Sequence, residues 1–125
     1  MRELTSHRVA GLNEALRIVV LDEPGPGNAC HKYEIAWGDP PEDMSESNPT
    51  YIHFQEGPIS EAGVNGGSNE ALLAIVEDRL LGFQSGEYAC RENAISLTKI
   101  QEAMMWLQKR TRDRLARGVE GTSQK

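Results

Sequence analysis

The chain has 125 residues, 38% of them hydrophobic and seven aromatic, which is enough for one domain with one modest core. Its longest apolar run, residues 71–76, falls far short of the roughly 20 residues a membrane helix needs, and its first residues lack the apolar stretch of a secretory signal. The net charge of −6 argues against a general nucleic-acid binder, while two cysteines, Cys30 and Cys90, make no disulfide scaffold and fit a reducing cytosol.

The first half reads as short strands separated by Gly, Pro and acidic residues. Residues 17–21 are β-branched and compact, and residues 22–28 follow as a loop, because Pro fixes φ and Gly permits positive φ. Residues 32–37 alternate, with Tyr33, Ile35 and Trp37 on one face of a half-buried strand. Residues 38–49 form a polar loop, and the stretch 39–49 fits no pattern that would assign it a role. Residues 51–55 are a third strand, and residues 58–61 extend it after a Gly-Pro break until Asn65, Gly66 and Gly67 end it. Connections this short require antiparallel pairing.

After residue 67 the period changes. Leu72, Leu73, Val76, Leu80 and Phe83 recur at helical spacing, with Ser68 as N-cap and Glu70 in the first turn. Gly82 and Gly86 loosen the end of this helix. A second helix runs from Arg91 to Arg117, with Asn93, Leu97, Ile100, Met104 and Leu107 as its buried stripe and Gly118 as its C′ residue. About 27 residues make a helix of about 40 Å. So long an amphipathic helix needs more cover than one hairpin partner supplies, which calls for another subunit. The expected class is α+β: a small N-terminal antiparallel β-sheet and a C-terminal two-helix hairpin, assembled as an oligomer. Its parts are an antiparallel β region over 1–67, a hairpin over 68–118 and a polar tail over 119–125, together one structural unit.

Charge divides along the same line. Residues 1–90 carry a net −10 and residues 91–125 a net +4, with five cations between residues 109 and 117. A local basic surface on an acidic chain suits a small anion better than a long polyanion. Arg110, Arg114 and Arg117 lie at i, i+4 and i+7, on one helix face. They read either as a solvated helix end or as a phosphate clamp. At the junction of the helices, Phe83, Gln84, Arg91 and Asn93 bring together an aromatic face, two amides and a cation. These groups either cap the hairpin or receive a nucleotide, by stacking, edge recognition and phosphate pairing. Residues 62–68 are a Gly-rich link that matches no phosphate-loop pattern, and an Asn-Gly turn feeding an N-cap explains them. Cys30, His31, His53 and Cys90 match no metal-ligand spacing, and neither thiol carries a mark of activation. They read as ordinary buried thiols and structural histidines, so no metal and no cofactor are assigned.

Several runs carry a resemblance. Gly11 to Asn13, Leu21 to Gly25, Asn28 to Tyr33, Phe54 to Ile59, Gly63 to Gly66, Leu81 to Gln84, Ala89 to Ala94, Trp106 with Leu107, Arg110 with Thr111, and Arg117 to Gly121 occur in an order that resembles the phage Thoeris anti-defence sponge family. Those proteins sequester cyclic ADP-ribose isomers made by defence TIR enzymes. The helical half is also similar to the hairpin domain of a phage anti-CBASS sponge family that binds cyclic oligonucleotides. The resemblance implies a sheet on a helical hairpin, assembled as a homohexamer in the cytoplasm of the infected host. It implies capture of glycocyclic ADP-ribose without cleavage, with Phe83 stacking on adenine and Asn93 and Arg110 completing a pocket between subunits. Gln84, Arg91 and Arg114 join the ligand-binding set by proximity.

The resulting reading is a binding protein that is not an enzyme, with a nucleotide signal as partner and neither long nucleic acid nor membrane. The alternatives are a sponge for cyclic di- or trinucleotides, a phosphodiesterase or glycohydrolase drawing on His31, His53 and the carboxylates, and an oligomeric adaptor without a small ligand.

Overall fold

The computed structural model describes residues 1–9, 12, 15–37 and 48–122. The expected loop over 39–49 falls outside this set except for its last two residues, as do residues 123–125 of the tail. The chain divides into two compact units. One comprises residues 1–57 and 65–67, the other residues 58–64 and 68–125.

The first unit is a four-stranded antiparallel sheet in the order β1-β2-β3-β4, with β1 at Arg2–Leu4, β2 at Arg17–Val20, β3 at Lys32–Trp37 and β4 at Asn48–His53. The α+β class holds. Paired residues share a face, so the pairs Leu4–Ile18, Val20–Tyr33, Ile18–Ile35 and Tyr33–Ile52 assemble one apolar surface. Val20 on this surface is fully buried. The alternation of Tyr33 and Ile35 is therefore real. Trp37, expected on the same inner stripe, is 46% exposed at the strand end, and Ala36 on the opposite face is buried instead.

Two boundaries differ from the sequence expectation. β4 begins at Asn48 and contains Pro49, which an edge strand tolerates because one side of its backbone makes no ladder bonds. Residues 58–61 do not extend it, since Ile59–Ala62 form a single helical turn, α1. The strand expected at 51–55 thus ends at His53, and Phe54 makes an isolated bridge with Gly67. The Gly-rich link is a structural tie. The Asn65 amide accepts from Glu56 N–H at 2.8 Å and donates to Glu56 O at 2.7 Å, while Gln55 Oε1 accepts from Asn65 N–H at 2.9 Å. Gly66 is required here, because a Cβ would stand 2.4 Å from the Phe54 carbonyl carbon.

The second unit is built on α2, Asn69–Gln84, packed against α3, Arg91–Ala116. Ser68 Oγ caps α2 by accepting from Ala71 N–H at 3.2 Å. The cap of α3 is the thiol of Cys90, which accepts from Asn93 N–H at 3.4 Å. Cys90 is thus exposed rather than buried as expected, while Cys30 is buried. The α3 stripe appears where its period puts it, with Asn93, Leu97, Ile100, Met104 and Leu107 all half-buried. Gly118, at φ +73°, closes α3 in a Schellman motif, its N–H bonded to Leu115 O and that of Val119 to Arg114 O.

Candidate functional site

At the α2–α3 junction the Phe83 ring is 39% exposed on the last turn of α2. It is framed on two sides. The Arg79 guanidinium carbon stands 5.5 Å from its centroid, one helical turn back. Tyr88 meets it edge-on at 6.5 Å. Gln84 Oε1 accepts from Cys90 N–H at 3.0 Å, so this amide ties the end of α2 to the start of α3. Asn93 is half-buried in the first turn of α3, and Arg91 is exposed at its first position. The tip therefore joins Phe83, Gln84, Arg91 and Asn93 around one turn.

The basic end of α3 forms a second feature. Trp106, Lys109, Arg110, Asp113, Arg114 and Arg117 line a shallow groove of about 400 Å³. Lys109 Nζ pairs with Asp113 at 2.6 Å. Arg114 is the buried cation of the described residues. Its Nε donates to Glu120 at 2.9 Å, and its Nη2 donates to Val119 O at 2.9 Å and Thr122 O at 3.1 Å. Arg114 thus anchors the turn that follows α3 while it lines the groove. Arg110 is exposed beside it.

These two features do not meet within one chain. Asn93 and Arg110 are 17 residues apart on a continuous helix, about 25 Å along its axis. Sequence reasoning missed Arg79 and Tyr88. The i, i+4 spacing of Arg79 and Phe83 is a signal that could have found the first, whereas Tyr88 reaches the ring only through the turn geometry. Trp106 and Lys109 were likewise missed as groove residues, although they share the face of Arg110.

The family model of the Acb2/Tad1 hairpin domain matches residues 47–112, more than half of the chain. The chain belongs to the Acb2/Tad1 hairpin-domain family. The matched segment contains Phe83, Gln84, Arg91, Asn93 and Arg110, while Arg114 lies just past it. The chain is also similar to a protein of Bacillus phage SBSphiJ7 named Thoeris anti-defense 1, at 55% identity over 74 residues. That alignment covers 59% of this chain and 52% of the relative, so the chain spans about half the length of the curated relative it matches. Among the described residues, no helix of this Acb2/Tad1 hairpin protein is long and apolar enough to cross a membrane.

Proposed function

We propose that this protein is a phage anti-defence sponge that binds glycocyclic ADP-ribose in the cytoplasm of the infected host and holds it uncleaved. The observation that carries the reading is the composition of the hairpin's two ends. The tip offers the exposed Phe83 face on the last turn of α2 and Asn93 in the first turn of α3, and the far end of α3 offers Arg110 in a basic groove. Stacking, amide recognition and phosphate pairing are what a cyclic ADP-ribose, with one adenine and a pyrophosphate, requires. They are groups of capture. The name of the phage relative agrees with this reading.

With the two ends about 25 Å apart on one helix, this reading builds one pocket from the tip of one protomer and the basic end of another. Homo-oligomerisation, as a hexamer, provides this. The apolar side chains left exposed on the hairpin support it, with Ile75, Trp106 and Leu115 at 60–62% and Met105 at 54%. In the shared pocket Phe83 stacks on the base, Asn93 reads its edge, and Arg110 pairs with phosphate. Gln84 and Arg91 complete the tip, and Arg114 steadies the groove beneath Arg110. Stoichiometric capture requires nanomolar affinity, or about −12 kcal/mol.

The test is to mix protein and glycocyclic ADP-ribose, measure free signal, then denature by heat and chromatograph the supernatant. Free signal should vanish in proportion to protein and return unchanged. Phe83→Ala and Asn93→Ala should each weaken binding by about 5- to 160-fold. Arg110→Glu should abolish capture while leaving the oligomer intact. A new product at catalytic protein concentration overturns the reading, and a protomer of 13.8 kDa in sedimentation overturns the shared pocket. Cyclic di- and trinucleotides offer the same stacking and phosphate chemistry, and competition against the loaded protein separates them from the ADP-ribose signal.

A further inference from the structure

The antiparallel meander brings three chain segments to one end of the sheet. Asp22 lies just past β2, His31 just before β3 and Glu56 just past β4. Lys32 pairs with His53, and the Val20–Tyr33 pair sets the end of β2 beside the start of β3, so these segments must converge. One ligating atom from each of Asp22, His31 and Glu56 lies within 4.8 Å of the other two, and all three residues are half-buried.

Each residue is held in place. The Asp22 carboxylate accepts from His31 N–H at 3.0 and 3.2 Å and from Lys32 N–H at 3.1 Å. Partial desolvation pushes its pKa up, but the N–H groups of His31, Lys32 and Asp22 itself, together with the His31 charge, hold it below the usual carboxylate range. The His31 ring lies so close to Gly25 that a Cβ there would stand 3.3 Å from Cε1. Asn65 clamps the backbone of Glu56 on both its N–H and C=O. His31 Nδ1 and Asp22 Oδ2 are 3.9 Å apart, too far for a hydrogen bond and close to the separation of about 3.4 Å between two ligands of one tetrahedral ion.

We propose that Asp22, His31 and Glu56 form a zinc-class divalent metal site that staples the ends of β2, β3 and β4. An imidazole beside two carboxylates favours zinc and its transition-metal neighbours over magnesium or calcium, which select all-oxygen sites. His53 Nε2 stands 3.7 Å from Glu56 Oε1 at the rim of the cluster, beyond hydrogen-bond reach, so His53 is at most a weak electrostatic neighbour of the site. The cysteines take no part. The buried thiol of Cys30 donates to Asp22 O at 3.5 Å, and Cys90 caps α3. The site is independent of nucleotide capture, since its residues all lie in the sheet unit.

The experiment strips the full chain with EDTA, desalts it and titrates it with ZnCl2 in a calorimeter. Thermal melts with zinc, magnesium, calcium or EDTA accompany it. We expect one zinc per chain and a higher melting midpoint with zinc than with EDTA, while magnesium and calcium leave the midpoint at the EDTA value. His31→Gln and Glu56→Gln should each weaken zinc binding by about 100-fold. Should His31→Gln fail to fold even in EDTA, Glu56→Gln and the melting shift of the unaltered protein decide. Absence of stoichiometric zinc binding, equal stabilisation by magnesium or calcium, or unchanged zinc affinity in both His31→Gln and Glu56→Gln would each overturn the proposal.

Discussion

In the sheet unit the covered side chains are the expected kind: Val20 is inaccessible, Ala36 nearly so, and Cys30 is buried too. In the helical unit the described residue buried to that degree is a cation, Arg114, and the apolar positions of α2 and α3 are half-buried or exposed. The two regions therefore hold together by different means. The sheet gathers apolar side chains of all four strands on one face, with Val20 at its buried centre. The hairpin aligns its stripe along α2 and α3, fastens its C-terminal turn by charge and hydrogen bonds, and leaves large apolar side chains outward. An amphipathic period thus identifies the inward face in both regions; among the described residues the sheet face buries Val20 completely, whereas the helical stripe is half-buried along its length.

The contrast is sharpest at Arg114. Arg114→Ala removes an ion pair and two carbonyl bonds at once and should destabilise the chain by about 2–3 kcal/mol in urea unfolding. An effect under about 0.5 kcal/mol would mean that the C-terminal turn contributes nothing to the hairpin. Val20→Ala tests the other region. Truncating this side chain, the one inaccessible apolar group among the described residues, should cost about 2 kcal/mol, measured the same way. A negligible loss there would erase the difference between the units.

Much of this organisation was readable beforehand. The α3 stripe, the Ser68 cap and Gly118 at C′ are local signals, each confined to a turn or two of helix, and all appear in the structure. What was hidden depends on contacts between distant residues. β1 is three residues long and exists through pairing with β2, so no local period announces it. Pro49 reads as a loop residue until β4 is known to be an edge strand. Arg114 looks like one more cation in a solvated run, because its carboxylate partner, Glu120, lies beyond the helix end. For the candidate site, sequence spacing yields the groups at the tip and the cations of α3. It does not yield the Tyr88 edge on Phe83, which the turn creates.

Two smaller effects refine the comparison. Ser68→Ala should lower stability by about 1 kcal/mol, by orphaning the N–H groups of the first turn of α2. Phe83→Ala should lower urea stability by no more than about 1 kcal/mol, because the residue is 39% exposed and loses its contacts with Arg79 and Tyr88, while reducing signal affinity severalfold or more in calorimetry. A large stability loss with unchanged affinity would move Phe83 from recognition to the hairpin core.

On the shared-pocket proposal, the unbroken length of α3 also sets how capture responds to expression. If recognition groups at opposite ends of one rod serve one pocket between protomers, a lone newly made chain would hold only half of a binding surface. Binding capacity would then rise with a power of chain concentration greater than one, by mass action. Chain made below the assembly concentration would leave the signal free. Once assembly began, capacity would climb steeply, and bound signal would in turn favour the assembled state. The response to synthesis would be a threshold set by a helix too rigid to fold back on itself.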